Sequence, residues 1–299
     1  MERKNGYIDL DKLFSENDTD INFLNFTSEY INFNFKTNNQ EYFFKYKKNI
    51  SPYSELIAAE LANDFGIKHV DYDLASYGDF KGVVSKNFRQ KDKQYITGEE
   101  LLNSIYNTSN FNERNNLESI WNALEIYYKG NQYKDINIKN IMASLVSLSI
   151  FDTIICQDDR ASCNWEIETD STGLASLAPI FDNEQIATTS ESNAKVSLLT
   201  EDTTINRGDL FTNLQLFLNI SSSEYYYQIK DKLWIISDSN LDKVFTRIEN
   251  KTSYPLPDDV RDYFKIEYRY HKSKIENILN TYETNQRKRW EKWKRELMN

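Results

Sequence analysis

Histidine, cysteine and glycine are scarce in this sequence of 299 residues, which contains two histidines, two cysteines and eight glycines. His69 and His271 are far apart, so a histidine-based metal site or a His-dependent catalytic triad has almost no raw material. Cys156 and Cys163 can form neither a disulfide framework nor a CxxC metal motif, and we expect two reduced thiols. Any metal chemistry must therefore use oxygen ligands.

Long apolar segments are also lacking. The N terminus has no apolar core of a signal peptide, and the longest mainly apolar window, residues 141–151, is too short and too interrupted by serine to span a membrane. These absences predict a cytoplasmic protein with no membrane span, although secretion as an effector stays open. The net charge of −10 argues against direct nucleic-acid binding, because proteins that bind nucleic acid concentrate positive charge.

What the chain does have is aromatic and charged residues. Aromatic residues make up 14 % of the chain and charged residues 27 %. This aromatic content can supply the buried core that disordered chains lack. The length allows one large core or two lobes.

The first 92 residues are predicted to form a small N-terminal lobe, an antiparallel sheet with one helix. Aromatic and polar side chains alternate over residues 30–47 around an Asn-Asn turn, which is the pattern of a two-stranded hairpin. Residues 70–74 and 82–88 are predicted to be short strands joined through a turn at Gly78.

The helix of this lobe is predicted over residues 52–65. A Ser-Pro pair favours a helix start, and Gly66 occupies the position of a C-terminal glycine cap. At about 100° per residue, Glu55 lies roughly 90° from the centre of the apolar stripe and Glu60 roughly 130°. Glu55 is therefore better placed at the boundary between core and cleft. The alternative is a first-turn acid that the helix dipole favours.

Residues 93–299 are predicted to form a larger, mostly helical C-terminal lobe. A strand-like pair at residues 165–167 and 176–178, with a turn at Thr172 and Gly173, interrupts the helices. This order predicts an α+β, bilobal fold with a ligand cleft between the lobes. The predicted helices cover residues 99–106, 117–128 and 138–155, with several more from residue 209 to the C terminus.

The most informative segment follows the long buried helix of the C-terminal lobe. It contains Asp159, Asn164 five residues later, and Asp182 beyond the strand pair. A carboxylate that orients a hydroxyl, with an amide and a second carboxylate that hold a metal, is the equipment of phosphoryl transfer. The strand pair can fold Asp182 back towards Asn164, and Mg²⁺ needs few protein oxygens because it keeps several waters. The alternative is a charged surface turn in which Arg160 pairs with Asp158 or Asp159.

These residues carry a family resemblance. The segments FDTIICQDDRASCNW (151–165) and LAPIFD (177–182) resemble the catalytic and metal loops of HipA-like serine/threonine kinases, whose motifs are DRHxxN followed by YD or FD. Upstream, SELIA (54–58) with FGI (65–67) resembles the family's first helix, and GVVSKNF (82–88) resembles its hinge strand. The resemblance spans residues 41–185. It implies the protein-kinase-like fold that these kinases share with phosphatidylinositol kinases.

The resemblance implies a catalytic loop at residues 157–164 and a metal loop at residues 180–184. Asp159 would be the catalytic carboxylate, which orients the acceptor hydroxyl and accepts its proton. Asn164 and Asp182 would hold Mg²⁺.

The resemblance also implies a nucleotide site in the N-terminal lobe. Lys45 would contact the phosphates of ATP, and Glu55 would hold Lys45 in place. Main-chain groups of Lys86 and Phe88 would contact the adenine. Lys45 and Lys47 share one face of a strand, so periodicity cannot choose between them, and only the family match favours Lys45.

Three features depart from the family pattern. Ala161 stands where the motif has histidine, which implies a lost nucleotide or loop contact. No glycine occurs between Gly6 and Gly66, so a glycine-rich phosphate loop is absent. Gln157 stands where relatives often carry asparagine.

The implied function is an ATP- and Mg²⁺-dependent kinase that transfers the γ-phosphoryl group to a Ser or Thr hydroxyl of a protein, its own hydroxyls included. Two alternatives stay open: a pseudokinase that binds nucleotide as a scaffold, and a phosphoinositide-type lipid kinase. The resemblance also implies an antitoxin or another regulatory partner.

Two further segments have a biased composition. Residues 188–204 contain eight Ser or Thr residues, which predicts a mobile linker, with a phosphorylated activation segment as the alternative. Residues 287–295, RKRWEKWKR, have six basic residues and two tryptophans. We expect a terminal helix that docks its tryptophans on the C-terminal lobe; an acidic partner, an anionic membrane and RNA are the alternatives.

Overall fold

A tight turn closes the central hairpin of the N-terminal lobe. In this computed structural model, Asn38 and Asn39 have φ angles of 51° and 60°, the positive values that a two-residue type I′ loop requires and asparagine tolerates. The turn joins β4 (Tyr30–Thr37) to β5 (Gln40–Lys47), as the alternation predicted. The structure describes residues 2–17, 19–106, 115–187, 214, 215, 218 and 223–298.

The hairpin belongs to a seven-stranded sheet. Its other strands are β1 (Arg3–Lys4), β2 (Tyr7–Asp9), β3 (Asp20–Phe26), β6 (Tyr72–Tyr77) and β7 (Phe80–Lys86), and the strand order is β1-β2-β6-β7-β5-β4-β3. One pair corrects the prediction of an antiparallel sheet, because β2 and β6 are parallel. A long crossover that contains two helices connects them, and parallel neighbours require such a connection.

The two helices of this crossover are α1 (Leu10–Glu16) and α2 (Tyr53–Phe65). The sequence predicted α2, and Gly66 ends it at φ 92° with its N–H donating to Ala62 O and Asn63 O. The prediction of a single helix was wrong, because α1 has only seven residues, too few to establish a periodic apolar stripe. Asp9 caps α1 by accepting from Lys12 N at 3.0 Å.

Helices dominate the rest of the chain. A small antiparallel sheet in the order β10-β9-β8 interrupts them; the predicted strand pair is present as β9 (Glu166–Thr169) and β10 (Ala175–Leu177), and β8 (Gln94–Thr97) extends it. The helices are α3 (Gly98–Tyr106), α4 (Leu117–Tyr127), α5 (Lys134–Ile155), α6 (Ser223–Lys232), α7 (Asp238–Thr252) and α8 (Asp258–Met298), with short 3₁₀ helices at Ser162–Asn164 and Leu233–Ile236.

The α+β class is confirmed, with a sheet-rich N-terminal part and a mostly helical C-terminal part. The lobe boundary between residues 92 and 93 stays a prediction. The predicted linker at residues 188–204 and the predicted helix start at residue 209 lie outside the described residues.

α5 is the central helix of the C-terminal part. Its length and apolar composition would allow it to cross a membrane, but most of it is buried inside the protein, as expected for a core helix. Fully buried side chains on it include Ile141, Leu145 and Leu148. It ends at Cys156, which adopts a left-handed conformation, and the predicted catalytic loop begins there.

Candidate active site

A cleft of about 270 Å³ lies between the N-terminal sheet and the loop that follows β10. Four of the seven predicted site residues line it: Lys45 on β5, Lys86 at the end of β7, Phe88 just beyond it, and Asp182. The structure therefore brings residues from three separated segments of the sequence to one place.

Lys45 lies at the centre of a group of carboxylates. Its Nζ is 3.5 Å from Glu55 Oε1 and 2.6 Å from Glu184 Oε2, and it also contacts Asp182 Oδ1. Lys47, two residues further along β5, has a side chain that is 40 % exposed and contacts Glu184 Oε1 at 2.6 Å. The structure thus places Lys45 in the cleft and Lys47 at the surface, a choice that periodicity left open.

A close approach between strands fixes the backbone of Lys45. β7 pairs with β5 at this point, with Val83 opposite Lys45. A Cβ atom at Gly82 would lie 2.1 Å from Lys45 O, so no other residue fits at position 82 without moving the strands.

Glu55 is buried on α2 and does not itself line the cleft, but it contacts Lys45, which does. Its Oε2 accepts from Asn183 N at 2.9 Å, which ties α2 to the loop after β10. Burial raises the pKa of Glu55 to about 7, against the opposing effect of the Lys45 ammonium. Glu60, on another side of α2, pairs instead with Arg247 at 2.5 Å.

Three carboxylates in this cluster could hold a metal ion. Oxygen atoms of Glu55, Asp182 and Glu184 lie within 4.8 Å of one another. Burial lowers the pKa of Lys45, but the three carboxylates outweigh it and raise that pKa well above its ordinary value. The three carboxylates outnumber the two ammonium groups, of Lys45 and Lys47, that contact them, and oxygen-only donors suit Mg²⁺. Glu184 had no predicted role of its own, and its position two residues beyond Asp182 was the only signal in the sequence.

Arg160 connects the predicted catalytic loop to its surroundings. It is fully buried and forms a two-pronged ion pair with Asp152, with Nε 3.0 Å from Oδ2 and Nη2 2.9 Å from Oδ1. This corrects the alternative in which Arg160 pairs with Asp158 or Asp159 in a surface turn. Asp152 lies one helical turn before the end of α5 and is buried there. It therefore pairs with the guanidinium in the interior, and Asp158 and Asp159 do not.

The same guanidinium holds two loops together. Its Nη1 donates to Asn164 O at 3.0 Å and to Phe181 O at 2.9 Å, and its Nη2 donates to Asn183 Oδ1 at 2.5 Å. Contacts to Asn164 O, Phe181 O and the Asn183 side chain therefore anchor both predicted metal-binding segments to one buried cation. This role of Arg160 was not predicted from the sequence.

Asp159 and Asn164 lie next to each other in the predicted catalytic loop. Asn164 Nδ2 donates to Asp159 O at 3.2 Å, and the short 3₁₀ helix from residue 162 to 164 turns the chain between them. Gln185 Nε2 donates to Asp159 Oδ2 at 2.7 Å. That bond orients the predicted catalytic carboxylate and links it to the loop that carries Asp182.

The structure shows the contacts at each of the three positions that depart from the family pattern. Ala161 O accepts from Asn164 N at 2.9 Å and begins the 3₁₀ helix. Gln157 Nε2 donates to Asp182 O at 3.0 Å, where Asp182 adopts the left-handed φ of 58°. The β4–β5 turn, which stands where a glycine-rich loop would be expected, contains two asparagines.

Aromatic side chains line the part of the cleft near β7. The rings of Phe88 and Phe181 stack with centroids 5.7 Å apart. Arg89 lies over the Phe88 ring, and its Nε donates to the buried Glu166 Oε2 at 3.1 Å. This ion pair joins the end of the hinge-like strand to β9 of the C-terminal part.

Two solved structures resemble this chain in fold. The Helicobacter pylori proinflammatory kinase CtkA superposes with a TM-score of 0.63 and 18 % identity, over 92 % of this chain and 97 % of that one. The HipA toxin of Shewanella oneidensis MR-1, solved with HipB and operator DNA, superposes with a TM-score of 0.50 and 13 % identity, over 86 % of this chain and 66 % of that one. The chain has the fold of the HipA-like kinases.

Because both sequence identities are low, these comparisons show the HipA-like fold and nothing finer. No protein-family model and no curated protein sequence matches the chain. The roles of individual residues must therefore be argued from the geometry of the cleft.

Proposed function

We propose that the chain is an ATP- and Mg²⁺-dependent kinase that transfers the γ-phosphoryl group of ATP to a Ser or Thr hydroxyl of a protein. The observation that carries this proposal is the contact of Lys45 with Glu55 and Asp182, in a cleft that Lys86 and Phe88 also line. A buried lysine held by a helix carboxylate next to a metal-loop aspartate is the arrangement that positions phosphates in kinases.

In this proposal Lys45 binds the phosphates of ATP while Glu55 holds its ammonium group. Asp182 and Asn164 would hold Mg²⁺, with Glu184 as a further oxygen donor; the bound ion neutralises charge on the phosphates. Main-chain groups of Lys86 and Phe88 contact the adenine beside the Phe88 ring.

Asp159 performs the proton chemistry. Gln185 holds Asp159 Oδ2, which leaves Oδ1 to orient the acceptor hydroxyl. As the hydroxyl oxygen bonds to the γ-phosphorus, the bond to the ADP oxygen breaks and the hydroxyl proton passes to Asp159. Arg160 keeps the two loops in register during this step through its contacts to Asn164 O and Phe181 O.

Incubation with labelled ATP, Mg²⁺ and a generic protein acceptor tests the proposal. We expect transfer by the wild type, and loss of it in Asp159→Ala and Asp182→Ala. Asp79→Ala, in the exposed turn between β6 and β7, is the matched control and should transfer normally. Labelling that persists undiminished in both site variants would refute the assigned roles.

Ala161 favours a second candidate, a pseudokinase scaffold, because the histidine of the family motif is missing. That candidate predicts nucleotide binding by the wild type without transfer to any acceptor, and transfer after Ala161→His. A phosphoinositide acceptor, run in parallel and resolved by thin-layer chromatography, separates a lipid kinase from a protein kinase.

Two wider proposals rest on the fold. HipA was solved together with HipB, and we propose a regulatory protein partner for this chain as well. We also propose that it acts in the cytoplasm. Fractionation of cells that contain the tagged full chain would show whether it stays in the soluble fraction.

A further inference from the structure

Helix α8 extends beyond the body of the protein. Its side chains are buried at intervals of three and four residues from Phe264 to Tyr282, and from Thr284 to Arg295 every side chain is exposed. The extension, residues 284–298, is about 22 Å long at 1.5 Å per residue. No side chain in the described part of the chain covers residues 284–295, so this surface is open to a partner.

Two tryptophans form an apolar stripe on the extension. Trp290 and Trp293 are 59 % and 50 % exposed, and their ring centroids are 4.9 Å apart. This contradicts the prediction that they dock on the C-terminal lobe, because the helix has left the body before it reaches them. Arg289 and Lys294 flank the pair, each roughly 70° from its centre at about 100° per residue.

The extension is strongly basic in an acidic chain. Residues 287–295 contain six basic residues and one acidic residue, a net charge of +5, so the rest of the chain, whose total is −10, carries −15. Lys288, Arg289 and Lys294 form no ion pair with any side chain that the structure describes. These unneutralised cations favour an acidic partner surface.

The first half of α8 carries a second exposed stripe, on the side of the helix opposite its buried residues. Tyr263, Ile266 and Tyr270 are between 40 % and 59 % exposed. The Tyr263 hydroxyl donates to Ala187 O at 2.9 Å, which orients its ring. Asp262 and Glu267 flank the Tyr263–Ile266 pair, again roughly 70° from its centre. The Glu267 side chain is 17 % exposed, and its Oε2 lies 3.9 Å from Nε2 of the buried His271.

The outer face of this first half is acidic because its cations are already paired. Three basic residues pair with the body: Arg261 with Glu249, Lys265 with Asp242 at 2.6 Å and Arg269 with Asp238 at 2.5 Å. By contrast Asp258, Asp259 and Asp262 form no ion pair within the described part of the chain. Lys274, which lies over the Tyr270 ring at 5.2 Å, is beyond the far end of the stripe.

The two stripes have identical spacing. Residues 289, 290, 293 and 294 repeat the offsets of residues 262, 263, 266 and 267, which are positions g, a, d and e of a coiled-coil heptad. In a parallel pair with these segments aligned, each g residue faces the e residue of the following heptad in the partner. Arg289 then faces Glu267 and Lys294 faces Asp262, so both flanking pairs are oppositely charged.

We propose that the extension binds a second copy of this chain, with Trp290 and Trp293 packed on Tyr263 and Ile266 of that copy. The two helices run parallel with a stagger of 27 residues, about 40 Å. On each copy the tryptophans face the same side of α8 as the body, and the stripe with Tyr263 and Ile266 faces the opposite side. The bodies of the two copies therefore lie on the same side of the helix pair, separated along the helix axis by the stagger. Each copy keeps one free stripe, and association is therefore open-ended.

Sedimentation of the full chain over a concentration series tests this inference. The mean mass of the wild type should rise beyond a dimer at about 0.1 M salt and fall at about 1 M, where the Debye length shrinks from about 10 Å to about 3 Å. Trp290→Ala/Trp293→Ala should weaken association at least about tenfold, about 1.4 kcal/mol. Trp121→Ala, an exposed tryptophan on α4, is the matched control and should associate like the wild type.

Charge reversal tests the partner. A tail variant, Lys294→Glu, and a face variant, Asp262→Lys, each reverse one member of the exposed pair, and each should be monomeric alone at concentrations where the wild type associates. Their equimolar mixture should regain association, because each then offers the charge that the other lacks. All substituted positions are exposed, and circular dichroism checks folding.

Three results would overturn the proposal: a wild type that stays monomeric at every concentration, a reversal variant that associates undiminished, or a mixture that stays monomeric. Vesicles of phosphatidylcholine with phosphatidylserine and a DNA duplex serve as competing probes. Binding of the monomeric wild type to either probe, lost in the tail variant, would assign the extension to a polyanion instead. None of these readouts depends on kinase activity.

Discussion

Lys45 contacts three carboxylates, and this excess of carboxylates determines how a substitution in the cluster changes the stability of the protein. Removing one member of a buried ion pair leaves an uncompensated charge, which costs more than the pair itself contributes. Lys47 contacts one of the same carboxylates from a side chain that is 40 % exposed, where solvent screens the charge. The two lysines therefore form a natural comparison.

We predict that Lys45→Met destabilises the protein by about 3–5 kcal/mol and lowers its affinity for ATP. Lys47→Met should change stability by no more than about 1 kcal/mol. Urea denaturation gives the free energy of unfolding, and titration with a fluorescent ATP analogue gives the affinity. Equal effects of the two substitutions would contradict the distinction between them.

Arg160 gives the second prediction at this scale. Arg160→Leu should destabilise the protein by about 3–5 kcal/mol, because Asp152 stays buried without its partner. Asp152→Asn on top of Arg160→Leu should recover part of that loss, since it removes the orphaned charge. Lys48→Ala, from an exposed pair with Glu29 at 3.6 Å, is the control and should have little effect. Denaturation of the wild type, of the single variants Arg160→Leu and Asp152→Asn, and of the double variant forms a double-mutant cycle that measures the coupling energy. Additive effects of the two substitutions would refute the predicted coupling.

Single elements explain what the sequence could and could not predict. Alternation, capping residues and the Asn-Asn turn act locally, so the β4–β5 hairpin and α2 were predictable. The parallel pair of β2 with β6 depends on a crossover of some sixty residues that no local pattern records. The choice of Lys45 over Lys47 likewise depends on α2 and the loop after β10, which approach β5 only in the folded chain.

Asn39→Gly is predicted to stabilise the β4–β5 hairpin by up to about 1 kcal/mol. Both turn residues have positive φ, and glycine at the second position adopts this conformation without the steric cost of a Cβ atom. Asn38→Ala should lower stability by a similar amount for the opposite reason. The shift in the urea midpoint checks both changes, and a loss of stability in Asn39→Gly would contradict the assigned turn.

The small sheet of β8 to β10 gives a prediction about acid. Burial alone would raise the pKa of Glu168, but Lys68 and Lys93 donate to its carboxylate and the net pKa is lowered. Because the folded pKa lies below the ordinary value of 4.5, this carboxylate stabilises the fold above about pH 4.5, and the contribution is lost as the pH falls through the folded pKa.

Glu168→Gln should therefore lower stability at neutral pH by up to about 1 kcal/mol, since Lys68 is largely exposed. The difference from the wild type should disappear towards pH 3, in denaturation curves measured at several pH values. The double variant Lys68→Met/Lys93→Met should also lose this pH dependence, because it lacks the two ammonium groups that lower the pKa of Glu168. If the stability difference between the wild type and Glu168→Gln instead grew as the pH fell, the direction of the pKa shift would be wrong.

At the scale of the whole molecule, the cleft is built where the sheet meets the helical part. Asp159, Asn164 and Asp182 could be proposed from the sequence because the motif that contains them is local and the family resemblance covers it. Glu184 and the anchoring role of Arg160 could not, because both depend on loops that meet only after the chain has folded. The charge of the chain is also divided at this scale, with a basic extension on an acidic body.

A structure of the full chain with a non-hydrolysable ATP analogue and Mg²⁺ tests the central claim most directly. We predict that Lys45 Nζ moves from the carboxylates to the phosphates, that Asn164 and Asp182 contact the metal, and that the adenine lies beside Phe88. A nucleotide bound elsewhere, or a Lys45 ammonium that stays on Asp182 and Glu184 while the nucleotide is bound, would contradict it.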